Sequence, residues 1–133
     1  MLELPRTLRD EIVAHARRDH PDEACGVVAG GKDGRATRVI AMENADRSPT
    51  GFSFDSGEWL RVDRALDDAD EQLLAVYHSH TATEAYPSRT DVLWAGHTDF
   101  PHWLLVSTRT DQDEVRSFTI VAGQVDEEAV TLV

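Results

Sequence analysis

The sequence has one cysteine, Cys25, in 133 residues. No intrachain disulfide can form, and no thiolate-rich metal cage can be built. Any metal must therefore be held by histidine and carboxylate. Basic residues are also scarce. Thirteen Lys and Arg stand against 25 Asp and Glu, a net charge of −12. Such a surface repels phosphate backbones and anionic lipids, so neither nucleic acid nor membrane is an expected partner. Long apolar runs are missing as well. Stretches such as Leu73 to Tyr77 and Trp103 to Val106 fall far short of the roughly 18 residues needed to cross a bilayer. The segment Met1 to Arg6 carries neither the basic nor the apolar region of a secretory signal, and the expected location is the cytoplasm. No repeat, low-complexity tract or linker interrupts the chain, so residues 1–133 are expected to form one domain.

What is present reads as alternating helices and strands. Thr7 with Asp10 has the form of an N-cap pair, and Leu8, Ile12, Val13 and Ala16 follow on one helical face, predicting a helix to about Arg18. His20-Pro21-Asp22 ends it. Cys25 to Ala29 reads as a strand buried on both faces, and Lys32-Asp33-Gly34 turns the chain back into Thr37 to Met42. A polar loop, Glu43 to Gly51, precedes a brief alternating strand, Phe52 to Phe54. Asp55 with Glu58 caps a second helix whose apolar stripe is Trp59, Val62, Leu66, Ala69 and Leu73. Leu73 to Tyr77 is the next strand, a short helix of about Asp91 to Ala95 opens at Ser88, and Trp103 to Ser107, Val115 to Val121 and Gln124 to Val133 close the chain as three strands. The order implies an α/β layered domain with a mixed β-sheet of about six or seven strands flanked by helices.

Chemistry concentrates where the strand ending at Tyr77 enters His78-Ser79-His80. Residues two apart on a strand project from one face, roughly 6 to 7 Å apart, so both imidazoles can grip one ion; a pair of exposed or hydrogen-bonded histidines fits the same spacing. Asp91 lies eleven residues beyond His80 and three beyond Ser88. Ser-x-x-Asp is also a capping box, and the two roles are compatible. Two His, one carboxylate and an open position make a catalytic zinc pattern rather than a closed structural one. Glu23, at the entrance of an apolar strand, reads either as a base in need of a polar partner or as a surface carboxylate beside Asp22. Cys25 paired with His20 or His15 is the rival nucleophile, though a lone Cys in an apolar run is ordinarily a small buried hydrophobe. His97 and His102 read as surface or supporting groups.

Glu23 ahead of Cys25-Gly26-Val27-Val28, His78-Ser79-His80 at a strand end, then Ser88 and Asp91 resemble the Glu, His-x-His, x7, Ser-x-x-Asp pattern of the JAMM (MPN-plus) metalloproteases. The motif spans Glu23 to Asp91, and the element order is similar to the family's cytidine deaminase-like fold over almost the whole chain. The stretch from His78 to Asp91 looks closest to the Mec-type branch in actinobacteria, whose members release cysteine from the CysO sulfur carrier. Thr81 departs from the proline that most of the wider family has there, which counts against a deubiquitinase without touching the metal site. The resemblance implies that His78, His80 and Asp91 bind Zn2+, that Glu23 holds and deprotonates a water, and that Ser88 steadies the oxyanion. It implies as substrate a ubiquitin-like sulfur-carrier protein with a C-terminal Gly-Gly carrying an added cysteine, cleaved at the Gly–Cys amide. The alternatives are a deubiquitinase-like isopeptidase, a processing protease for another sulfur carrier, and a catalytically silent scaffold of the same fold. Phe52 to Phe54 is the candidate edge for docking the tail, or else a plain strand with two core phenylalanines.

Overall fold

A computed structural model describes residues 1–133. Strand β1 (Leu2–Leu4) leads into helix α1 (Arg6–Asp19), followed by β2 (Cys25–Gly30), β3 (Ala36–Met42), α2 (Ser56–Asp68), β4 (Gln72–His80), α3 (Arg89–Ala95), β5 (Trp103–Ser107), β6 (Glu114–Val121), β7 (Gln124–Glu128) and β8 (Val130–Leu132). The main sheet has six strands in the order β3-β2-β4-β5-β6-β7. Only β4 and β5 run parallel, joined through α3; the other neighbours are antiparallel, so the sheet is mixed as expected.

Alternation along β4 sorts its side chains. Ala75 and Tyr77 join Val28, Leu104 and Val106 under α1, where Leu8, Ile12, Val13 and Ala16 form the expected stripe. Val76 faces the opposite way, with Cys25, Val27, Ala29 and the α2 residues Val62 and Leu66. Trp103, Leu105 and Phe118 continue that second layer beside Ala95 of α3. His78 and His80 lie two and four residues beyond Val76, so they emerge on the α2–α3 face at the carboxyl end of a parallel strand.

Several local expectations change. Pro5, with φ −56° and ψ 138°, stands at the start of α1 with no side-chain cap, and Thr7 lies inside the helix; the fixed proline φ places the first turn without the Thr7–Asp10 pair. The last predicted strand divides in two: β7 completes the main sheet, while β8 leaves it to pair in parallel with the unforeseen β1. Phe52 to Phe54 is no strand, forming one isolated bridge from Phe54 to Asn44. α2 ends at Asp68, because Ala69 and Asp70 turn the chain into β4, Asp70 with φ +57°; Leu73 thus belongs to the strand alone. The Asp55–Glu58 cap forms as read, with the Asp55 carboxylate accepting from the Glu58 amide.

Candidate functional site

The site is assembled from three segments. The antiparallel register sets Cys25 opposite His78, and the Ser79 N–H donates to the Ala24 carbonyl at 3.0 Å, which carries the pairing outward toward Glu23 and His80. The Ala24 N–H in turn donates to Ser79 Oγ at 2.8 Å. Ser79, the residue between the histidines, thereby fixes the backbone next to Glu23. The third segment is the first turn of α3. Ser88 Oγ accepts from the Asp91 N–H and an Asp91 carboxylate oxygen accepts from the Ser88 N–H, so the capping box is complete. A single oxygen, Oδ2, takes the cap bond and also faces the histidines.

Four side chains then converge. Asp91 Oδ2 lies 3.1 Å from His78 Nε2 and 3.2 Å from His80 Nε2, and the two nitrogens are 3.3 Å apart. Glu23 offers an oxygen within 4.8 Å of both imidazole ligand atoms. All four residues are buried. The His80 ring is oriented from behind, because its Nδ1–H donates to the Glu84 carbonyl at 2.9 Å and so turns the lone pair of Nε2 toward the cluster. Packing orients His78 instead: the ring stacks on Phe52 at 4.5 Å and meets Trp103 edge-on, and Nδ1 is buried without a hydrogen-bond partner. Two imidazole nitrogens and a carboxylate oxygen thus converge on one point, where ring N–H protons or a bound cation can bridge them. The donor set suits zinc, with nitrogen and oxygen ligands from three residues and an open side.

Electrostatics follows the same geometry. Burial pushes the Glu23 carboxyl from 4.5 up to about 8, with the neighbouring Asp91 adding to the rise and His80 opposing it. Burial acts to raise Asp91 too, but the His78 charge and hydrogen bonds from both histidines and the Ser88 amide outweigh it and hold that carboxyl well below its ordinary range. Burial lowers His78 despite Asp91; burial also acts to lower His80, but its bonds to Asp91 and Glu84 and the Asp91 and Glu23 charges outweigh it and raise that group. One carboxylate is thus kept ionised among the imidazoles and the other is poised near neutrality.

Glu23, His80, Ser88 and Asp91 line an open cavity of about 940 Å³, while His78 lies behind it. Phe52 and Trp94 form part of its apolar wall. The structure therefore gathers all five residues singled out in the sequence. It does not gather the rival nucleophile. Cys25 is fully buried, its thiol pushed up to about 12 chiefly by burial; His15 bonds Tyr77 Oη at 2.6 Å and His20 bonds Thr108. His102 pairs with Glu128 at 2.6 Å, and His97 lines the cavity. Sequence reasoning missed three supports: Phe52 against His78, the Glu84 carbonyl behind His80, and the Ser79 hydroxyl. The first carried a weak signal in the Phe-Ser-Phe alternation; a backbone carbonyl carries none.

Comparison with known proteins finds relatives along most of the chain. The family described as prokaryotic homologs of the JAB domain matches residues 5–121. A CysO-cysteine peptidase from Mycobacterium bovis is 60% identical over 129 residues, covering 95% of this chain and 87% of the relative. A probable TtuB-protein conjugate cleaving protease from Thermus thermophilus is 34% identical over 125 residues, covering 93% of this chain and 79% of the relative. The solution structure of a Desulfitobacterium hafniense protein is similar with a TM-score of 0.89 at 34% identity, covering 100% of this chain and 93% of that one. With the match running from the residue before α1 to the end of β6, this chain belongs to the prokaryotic JAB-domain family.

Proposed function

We propose that residues 1–133 form one JAMM-type zinc peptidase domain acting in the cytoplasm on a ubiquitin-like sulfur carrier, hydrolysing the Gly–Cys amide of a carrier–cysteine adduct and releasing L-cysteine for cysteine biosynthesis. The observation that carries the reading is the convergence of His78, His80 and Asp91 within 3.3 Å beside a buried Glu23 on an open cavity. The mycobacterial relative, a CysO-cysteine peptidase by name, supports the substrate.

His78, His80 and Asp91 would hold the zinc. When bound, it supplies a Lewis acid that polarises the scissile carbonyl and makes water nucleophilic near neutral pH. Asp91 keeps its negative charge throughout, because the imidazoles and the cap amide stabilise that form. Glu23 accepts a proton from the attacking water and delivers it to the departing cysteine nitrogen, a task suited to a carboxyl poised near neutral pH. Ser88 Oγ spends a lone pair on the Asp91 amide, leaving its O–H to donate to the developing oxyanion. Phe52 and Trp94 keep that side of the cavity apolar, where such interactions gain strength. No covalent enzyme intermediate is needed. A Gly-Gly tail has no side chains, so it is read through main-chain hydrogen bonds.

The Thermus relative supports a second reading, cleavage of protein conjugates by an isopeptidase. Measuring kcat/KM on sulfur carriers extended by one cysteine and on Lys-linked ubiquitin dimers, at two ionic strengths, separates the two. Much faster cysteine release is expected. The rate on the carrier should fall as salt rises, since a chain of net charge −12 favours a basic carrier face. Comparable rates on ubiquitin dimers overturn the substrate assignment.

A further inference from the structure

The Glu23 carboxylate receives no hydrogen bond from another side chain, so its position is inherited from its backbone. That backbone is held from two sides. Ser79 holds Ala24 on the β4 side. On the other side stands the loop between β3 and α2, where the Glu23 N–H donates to the Ser48 carbonyl at 2.9 Å and Asn44 Nδ2 donates to the Glu23 carbonyl at 3.0 Å.

Asn44 is 6% exposed and uses its whole hydrogen-bonding capacity. Its second Nδ2 hydrogen goes to the Gly51 carbonyl at 2.9 Å, and Oδ1 accepts from the Asp46 and Ser53 amides at 3.0 and 3.3 Å. Two carbonyls on one end and two N–H groups on the other fix which end is nitrogen. Gly51 and Ser53 flank Phe52, the ring stacked on His78. One carboxamide therefore ties the backbone of the proton acceptor to the backbone of the residue that packs one imidazole.

Resting on the function proposed above, we infer that Asn44 is a positioning residue, fixing Glu23 and the Phe52 wall in mutual register for the attack on the amide. Asn has the required form because it offers two donors and two acceptors in one short planar group; Asp keeps the shape and the acceptors but loses both donors. Misplacement of a reacting group by about 1 Å can cost on the order of a hundredfold in rate.

The test is Asn44→Asp in the zinc-loaded full chain, with Val13→Ala in the core beneath α1 as a stability control. Asn44→Asp should retain zinc and lower kcat about tenfold or more, with KM within about twofold of wild type; Val13→Ala should lower Tm and leave kcat intact. Because Asn44 acts chiefly through Glu23, adding Asn44→Asp to Glu23→Gln should slow the enzyme by much less than it slows wild type, whereas a merely structural loss would multiply in full in both backgrounds. Independently of activity, hydrogen exchange at the Glu23 amide should quicken in Asn44→Asp while amides within α1 keep wild-type rates. Wild-type kcat in Asn44→Asp, multiplying losses in the double variant, or unchanged exchange at Glu23 overturns the assignment. A wild-type enzyme that cleaves no cysteine-extended carrier would sink the functional reading instead, leaving the exchange measurement to decide the role of Asn44.

Discussion

Replacing Glu23 by Gln separates chemistry from metal binding and from stability. The amide keeps the shape of the side chain but accepts no proton, so turnover should fall by about two to four orders of magnitude, the usual contribution of a positioned general base. Zinc should remain, since Glu23 lies outside the His78, His80 and Asp91 set. Stability of the metal-free protein should move the other way. Burial raises the Glu23 carboxyl from 4.5 to about 8. A raised folded-state value favours the protonated form, so nothing is lost below about pH 4.5, and stability declines as pH climbs toward 8. At about 1.4 kcal/mol per pH unit, the ionising carboxylate costs roughly 1 kcal/mol at pH 5 and roughly 3 at pH 7. Gln carries no such cost. Urea unfolding of chelator-stripped wild type and Glu23→Gln at both pH values should show the variant gaining about 2 kcal/mol more at the higher pH. Zinc analysis and single-turnover cleavage of the loaded proteins complete the comparison. A variant that loses zinc, cleaves at near wild-type rate, or shows the same pH dependence as wild type would refute the reasoning.

Asp91→Asn should bring metal content far below the one ion per chain expected of wild type, read by elemental analysis; in the metal-free protein it should also flatten the loss of stability on acidification, because a carboxyl held below its usual value stabilises the fold above about pH 4 and releases that contribution as pH falls. Cys25→Ala should keep activity and lose about 1 kcal/mol as a small cavity, and the native thiol, pushed up to about 12, should resist alkylation at pH 8; stoichiometric inhibition of zinc-loaded enzyme by an alkylating agent would restore a cysteine nucleophile. Gly26→Ala should destabilise by about 3 kcal/mol or more in chemical denaturation, because the added Cβ would stand 2.5 Å from both the Ile40 carbonyl oxygen and the Tyr77 ring; stability unchanged by this substitution would contradict the close approach of β2 to its neighbours.

Local chemistry explains which parts of this molecule are legible from its residues. A period of two on a strand necessarily sends His78 and His80 to one side, and a Ser-x-x-Asp box necessarily brings Asp91 back to the helix start. The α1 stripe and the Asp55 cap are equally local. Expectations failed where a local signal competed with a distant partner. Thr7 and Asp10 had capping chemistry, but Pro5 begins the helix. The residues from Gln124 to Val133 have strand character throughout, but their last part pairs with β1 from the opposite end of the chain.

The sequence by itself determined which residue types could hold a metal, the absence of a thiolate cage, the acidic surface and the layered α/β class, since these follow from composition and short-range periodicity. Only the tertiary structure decided where Glu23 and Asn44 stand. Glu23 looks like a surface acid beside Asp22 until the register of β2 on β4 sets it next to His80, a partner more than fifty residues away. Asn44 lies in a stretch with the composition of an ordinary loop, and its buried carboxamide acquires four hydrogen-bond partners because that loop folds back over Glu23. Long-range register carries no local signature, because the energy that selects it is the burial of whole strand faces rather than the preference of any single residue.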